Sequence, residues 1–195
     1  MNRHSTISRM SLASPNQDSN LWQQLIAEDA TAFSELYKRH ANALTAYGLK
    51  LSHNQEIVND AIQDVFIHLW QKRTQLPVVN NVRAYLLKSL RNRILRILET
   101  RSLNGNGIQP HQALQESHEQ YLIAEEIAEE QLLSLQNSIK SLPVRQKEVL
   151  NLRYFQALKH EEIAEVLDIN YQSVSNLLYK GIKSLKKQFR LPKGS

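Results

Sequence analysis

Apolar residues recur at helical spacing along almost the whole chain, and the places where that spacing fails divide it into elements. The pattern begins near Leu21 and runs through Phe33, Leu36, Tyr37 and Leu44 to Leu51; Ser52-His53-Asn54 breaks it. It resumes from Glu56 to Trp70, where Ile57, Val58, Ala61, Ile62, Val65, Phe66 and Leu69 make one broad core face. After Pro77 a further helix is predicted over Val82–Leu98, with Leu86, Leu87, Leu90, Ile94, Ile97 and Leu98 inward. Asn104-Gly105-Asn106-Gly107 and Pro110 then end the periodicity, and the residues from Glu116 to Glu130 are strongly acidic. Ser141-Leu142-Pro143 reads as a helix entry leading through Val149, Leu150 and Leu152.

The last periodic stretch is the most informative. In Lys159–Lys187, Ile163, Ala164 and Leu167 form a short apolar face, and Asp168-Ile169-Asn170 supplies a tight turn and an N-cap, so a second helix starts near Tyr171. At about 100° per residue, Val174, Leu178, Gly181, Ile182, Leu185 and Phe189 share one side of it. Gln172, Asn176, Tyr179, Lys180, Lys183 and Lys187 share the other, and no acidic residue follows Asp168. A helix, a turn and a second helix with a cationic outer face form a helix-turn-helix suited to duplex DNA. Short polar groups near its start can address base edges, and the lysines can hold phosphates. By itself a basic helix is more often a solvated face with lysines suited to its C-terminal dipole; the preceding helix and turn reverse those odds.

These elements predict an all-α protein of two small helical domains. The expected division is a disordered tail over 1–20, a first domain over 21–101, a flexible acidic linker over 102–122, a second domain over 123–190 and a tail over 191–195. The formal charge of +5 over 195 residues suits a polyanion partner without identifying one. Cysteine is absent, which removes disulfides, thiolate nucleophiles and cysteine-based zinc sites. The histidines lack ligand spacing, so no metal, cofactor or catalytic residue is expected. No stretch reads as a secretory signal or a membrane span, and a cytoplasmic protein with no direct membrane insertion follows.

Two outer faces of the first domain carry further chemistry. Opposite the core face of the Glu56–Gln71 helix, Ile67 and Trp70 stand among Asn59, Asp60, Gln63 and Asp64, the composition of a docking surface. The alternative, at about even odds, is that another helix of the same domain covers Trp70. On the Val82–Leu98 helix, Tyr85, Lys88, Asn92 and Arg96 lie outward with Arg91 and Arg93 on the flanks. Cations interleaved with an aromatic suit single-stranded or unwinding nucleic acid, although for this helix taken alone a merely solvated face is the favoured reading.

DAIQDVFIHLW (Asp60 to Trp70), VRAYLLKSLRNR (Val82 to Arg93), SLPVRQKEVLNLRYF (Ser141 to Phe155) and the helix-turn-helix, in this order, resemble the bacterial RNA polymerase sigma factors of the sigma-70 superfamily. The resemblance is to the extracytoplasmic-function (ECF) group, which keeps only the sigma-2 and sigma-4 domains. It implies a non-enzymatic subunit that binds core RNA polymerase and directs promoter-specific initiation. Asp60, Gln63, Asp64, Ile67 and Trp70 would dock on the β′ clamp helices, with the β flap a second polymerase contact. Tyr85, Lys88, Arg91, Asn92 and Arg96 would hold the minus-10 element. Gln172, Ser173, Asn176, Lys180, Lys183 and Lys187 would read the minus-35 element. The ending NLLYKGIKSLKK is similar to sigma factors of the Bacteroidetes FecI-like type, which implies an anti-sigma factor, a membrane-bound FecR-like protein among the candidates. Ala157 and Lys159 stand where the family usually has Gly and Ser, so the common Ser cap is missing, and Leu177 and Gly181 replace a frequent Arg and Ala.

Two rival functions remain compatible with parts of the pattern. A helix-turn-helix regulator that binds an operator without serving as a polymerase subunit would share the second domain, but no βα alternation of a receiver is present. A helical nuclease or hydrolase would need more than Asp60, Asp64 or Glu161-Glu162, since no histidine, Gly-rich loop or third acid completes a site.

Overall fold

The computed structural model describes residues 15–103 and 136–188, and every regular element among them is helical. In chain order these are α1 (Pro15–Ile26), α2 (Ala30–Leu51), α3 (Gln55–Gln71), a 3₁₀ turn (Arg73–Gln75) and α4 (Val82–Leu103). Residues 136–140 are helical, followed by α5 (Val144–Leu150), a π turn (Asn151–Phe155), α6 (His160–Leu167) and α7 (Tyr171–Gln188). The acidic stretch beyond residue 103, the helix start expected at Ile123 and the inward placement of Phe189 lie outside the described residues.

Local chemistry sets the helix boundaries. Asn54 Oδ1 accepts from the amides of Glu56 at 2.9 Å and Ile57 at 3.1 Å and so starts α3. Asp29 Oδ1 caps α2 through Thr31 N at 2.7 Å. Between α1 and α2, Glu28 adopts φ 71°, so the periodic run expected from Leu21 to Leu51 is two helices joined by a left-handed turn. The expected tail to residue 20 is also revised, because α1 begins at Pro15, whose fixed φ suits a first helical position. A buried carboxylate holds that first turn. Asp18 Oδ1 lies 3.4 Å from Arg39 Nη1 and Oδ2 lies 3.1 Å from His40 Nε2, both on α2. Burial raises the Asp18 pKa, but the hydrogen bond and charge of His40, then Arg39, outweigh it and leave the carboxyl below its ordinary value.

Helices α1 to α4 form the first module. The seven inward positions read from the α3 sequence are the seven that are buried. On α4, Leu86, Leu87, Leu90 and Ile94 are fully buried. Gly48 lets α2 and α3 approach closely, since a Cβ there would stand 2.7 Å from Val58 Cγ1. In the second module Leu152, Leu158, Ile163, Val166, Val174 and Leu178 are buried between α5, α6 and α7. The two modules are not held apart: α6 packs on α4, and the buried apolar residues of both form one continuous cluster.

Candidate nucleic-acid and polymerase interfaces

Helix α7 carries the first surface. Val174, Leu178 and Gly181 are buried against the module, with Gly181 close to Leu150 of α5. Gln172, Asn176, Tyr179, Lys180, Lys183 and Lys187 are exposed on the far side, and Ser173 is half-buried. Asn170 Oδ1 accepts from Ser173 N at 2.8 Å, which fixes the helix start. Gln172 donates to Asn176 at 3.3 Å, and the Lys183 ammonium lies 5.7 Å from the Tyr179 ring centre. Among the described residues no lysine of α7 pairs with a carboxylate.

The turn into this motif shows how the missing Ser cap is replaced. Glu162 Oε2 accepts from Lys159 N at 2.7 Å. An ammonium has no acceptor, so only this half of a reciprocal capping box exists. Ala157, standing where glycine is usual, takes the left-handed φ of 55°, a strained place for a residue with a Cβ. Asp168 takes the same φ of 55° at the end of α6, where its short polar side chain is better tolerated.

Helix α4 carries the second surface, and here the residues fare differently. Asn92 and Arg96 are exposed and Lys88 is half-buried. Tyr85 is half-buried with its ring edge-on to Trp22, centroids 5.0 Å apart, while Trp22 Nε1 donates to Pro77 O at 3.0 Å. Arg91 Nε donates to Glu148 Oε1 of α5 at 2.9 Å. Burial works to lower the Arg91 pKa, and the charge and hydrogen bond of Glu148 more than offset it, leaving it raised. Arg93 pairs with Asp64 of α3, Nε to Oδ2 at 2.7 Å. The flanking arginines are thus engaged by the chain's own carboxylates. Their partners lie far along the sequence, which is why helical periodicity alone does not reveal them.

On the third surface, Ile67 is 44 % exposed and Tyr37 of α2 is 47 % exposed. Between α2 and α3 runs a groove of about 600 Å³, lined by Phe33, Tyr37, Ile62, Gln63, Phe66 and Ile67. Asp60 and Gln63 are exposed, and Asp64 is half-covered by its pairing with Arg93. Trp70 is half-buried: Phe33 packs against it with centroids 5.2 Å apart, and the Arg73 guanidinium sits 4.5 Å above its ring. The even choice between docking group and covered ring resolves into a ring covered on part of its surface. Phe33 and Tyr37 belong to the groove although the sequence singled them out only as periodic positions. Their exposure depends on how α2 lies on α3.

Among the described residues, no cluster of His, Asp and Glu has the arrangement of a metal site, and no helix is long and apolar enough to cross a membrane.

Residues 36–103 match the family of sigma-70 region 2, and residues 132–185 match that of sigma-70 region 4. The chain is 26 % identical over 153 residues to the RNA polymerase sigma factor SigZ of Bacillus subtilis, covering 78 % of this chain and 84 % of the relative. It is 25 % identical over 166 residues to sigma factor YlaC of the same organism, covering 80 % and 91 %. In solved structures the fold is similar to CnrH in complex with the cytosolic domain of CnrY, with a TM-score of 0.61 and 20 % identity over 88 % of this chain and 96 % of that one. It is also similar to the sigma factor RpoE in complex with the anti-sigma factor NepR from Bartonella quintana, with a TM-score of 0.60 and 16 % identity over 83 % and 98 %. With both regions matched in order and the helix-turn-helix face on the second, the chain belongs to the sigma-70 superfamily of RNA polymerase sigma factors, with the region 2 and region 4 pair of the ECF group.

Proposed function

We propose that this sigma factor directs initiation by dividing its work among the three surfaces: α7 reads the minus-35 duplex, α4 holds the minus-10 element, and the α2–α3 groove docks on core polymerase. The observation that carries the reading is the outer face of α7. Gln172, Ser173 and Asn176 lie at its N-terminal end, where a helix seated in the major groove meets base edges, and Lys180, Lys183 and Lys187 follow where phosphates would pass. Two weak duplex contacts joined in one polymerase-bound chain gain from high effective concentration. The protein supplies binding and orientation and carries out no covalent step.

Polymerase docking is supported by the groove, where exposed Ile67 and Tyr37 stand with polar Thr45, Asn59 and Gln63 around Phe33, Ile62 and Phe66. The β′ clamp helices are the proposed occupant and the β flap a second contact for the other module. An anti-sigma protein is a further proposed partner, supported by the similar structure of the sigma factor RpoE in complex with the anti-sigma factor NepR. A FecR-like identity for it rests on the C-terminal motif alone.

Run-off transcription from a mapped promoter, with core polymerase and the purified chain, tests the function. Initiation that depends on the chain is expected; an operator-binding regulator would give none. Ile67→Ala is the sharper probe of docking than Trp70→Ala, because Ile67 is exposed whereas Trp70 is partly covered by Phe33 and Arg73. It should weaken core binding by about 1–2 kcal/mol with the melting of the chain unchanged. Equal core binding by the variant would remove Ile67 from the docking set.

A further inference from the structure

Three side chains define the outermost line of α7. At about 100° per residue, Gln172, Asn176 and Tyr179 fall within about 60° of one another around the helix, and all three are exposed. Gln172 Nε2 donates to Asn176 Oδ1 at 3.3 Å, so the two amides hold each other one helical turn apart before any ligand arrives. Tyr179 is 65 % exposed, and the Lys183 ammonium, 5.7 Å from its ring centre, steadies it from the next turn.

The donors and acceptors on this line suit one base. An amide offers one oxygen and two N–H groups, so the mutual bond uses one N–H of Gln172 and one lone pair of Asn176. Each amide keeps a donor and an acceptor for a ligand. In the major groove adenine alone shows the complementary pair, a donor at N6 beside an acceptor at N7; guanine shows two acceptors and cytosine one donor. An amide set against guanine would leave its oxygen facing O6 with no proton between them.

The groups that read the other base pair are missing from the helix. From Tyr171 to Gln188 there is no arginine, whose fork fits guanine, and no carboxylate to accept from cytosine. Lys180 lies about 70° to the side of the line, on the flank where phosphates pass. The Tyr179 ring is an apolar surface of the kind that meets a thymine methyl.

We propose that α7 selects adenine–thymine pairs: Gln172 and Asn176 each take one adenine in a bidentate contact, and Tyr179 packs on a thymine methyl beside them. Residues four apart rise about 6 Å along a helix, and successive bases lie about 3.4 Å apart, so the two amides reach pairs one or two steps apart. This assignment rests on α7 reading the minus-35 duplex and adds the identity of the bases.

The test uses the full chain bound to core polymerase, which selects duplexes from a library randomised across the upstream element; the selected element is then changed one pair at a time. Two A·T pairs, adjacent or one apart, are expected, each preferred over G·C by about tenfold or more. Asn176→Ala should abolish the preference at one of them and Gln172→Ala at the other. Both positions are exposed, so the melting of the chain should not change. Replacing adenine by 7-deazaadenine, which lacks the N7 acceptor yet pairs normally with thymine, should weaken wild-type binding by about fivefold at each pair. The same replacement should have no effect on Asn176→Ala at its own pair. Uracil in place of thymine removes the methyl, and its effect should vanish in Tyr179→Ala. An A·T preference that survives both amide substitutions would overturn the assignment in favour of DNA shape. So would a required guanine whose selection is lost with Lys180→Ala. Promoter-directed initiation by the same holoenzyme is scored separately. Initiation without the adenine preference overturns the base assignment alone, whereas no initiation overturns the sigma reading, and the preference is then read with the chain alone at low salt.

Discussion

Helices α4 and α7 look alike as sequence, each an amphipathic helix with arginines or lysines outside and leucines inside, yet the fold uses their charge in opposite ways. On α4, Arg91 is paired with Glu148 and Arg93 with Asp64. On α7, the lysines stand in solvent without a carboxylate partner among the described residues. The cause is position. α4 is wedged among α1, α2, α3 and α6, whereas α7 has neighbours on one side only, α5 and α6. A cation on a helix is available to a polyanion only if no acidic residue of another element reaches it first, and a central helix meets more elements.

That contrast predicts unequal responses to truncation. Leu90→Ala, at a fully buried position of α4, should cost about 3–4 kcal/mol, while Leu177→Ala on the half-covered flank of α7 should cost about 1 kcal/mol. Both tryptophans, Trp22 and Trp70, lie in the first module, so their fluorescence during urea unfolding follows the α4 side directly. Equal costs would dissolve the distinction between a central and a one-sided helix.

Replacing Lys180, Lys183 and Lys187 together by Ala should lower the salt slope of DNA binding by about 2.7, at about 0.9 per phosphate contact. The measurement is a titration of duplex at several salt concentrations, using polymerase-bound protein. An unchanged slope would place the duplex elsewhere than on α7. Ala157→Gly should stabilise the second module by about 1 kcal/mol, because glycine reaches φ 55° without the Cβ clash. Its far-ultraviolet melting curve is the check, and a loss of stability would mean that Ala157 contributes packing that outweighs its strain.

The smallest effect is expected at the rim of α4. Asp64→Ala releases Arg93 from a pair whose side chains are each 41 % exposed, and should cost no more than about 0.5 kcal/mol of stability. Binding of a labelled single strand by the polymerase complex should then tighten slightly if Arg93 can turn toward it. A large destabilisation would show that this pair fastens α3 to α4 and that Arg93 was never available.

Much of the architecture was legible along the chain. The inward face of α3, the start of α7 near Tyr171 and the break at Ser52-His53-Asn54 follow from spacing and capping, which act over a turn or two of helix. The start of α1 was not, because Asp18 is held by residues more than 20 positions away. Nor was the cover on Trp70, which comes from Phe33 on another helix. The face of α7 was read in full because nothing folds over it, and the face of α4 only in part because α5 and α6 do.

The amino-acid order alone determined that the protein is helical, where its helices turn inward and that its last helix is cationic, since each depends on neighbours a few residues apart. Tertiary structure decided which charges are free, which apolar side chains line a groove and whether the two modules touch. Those outcomes depend on groups such as Tyr47 and Glu148, 101 residues apart, meeting at 2.9 Å, a distance set by the packing of whole helices.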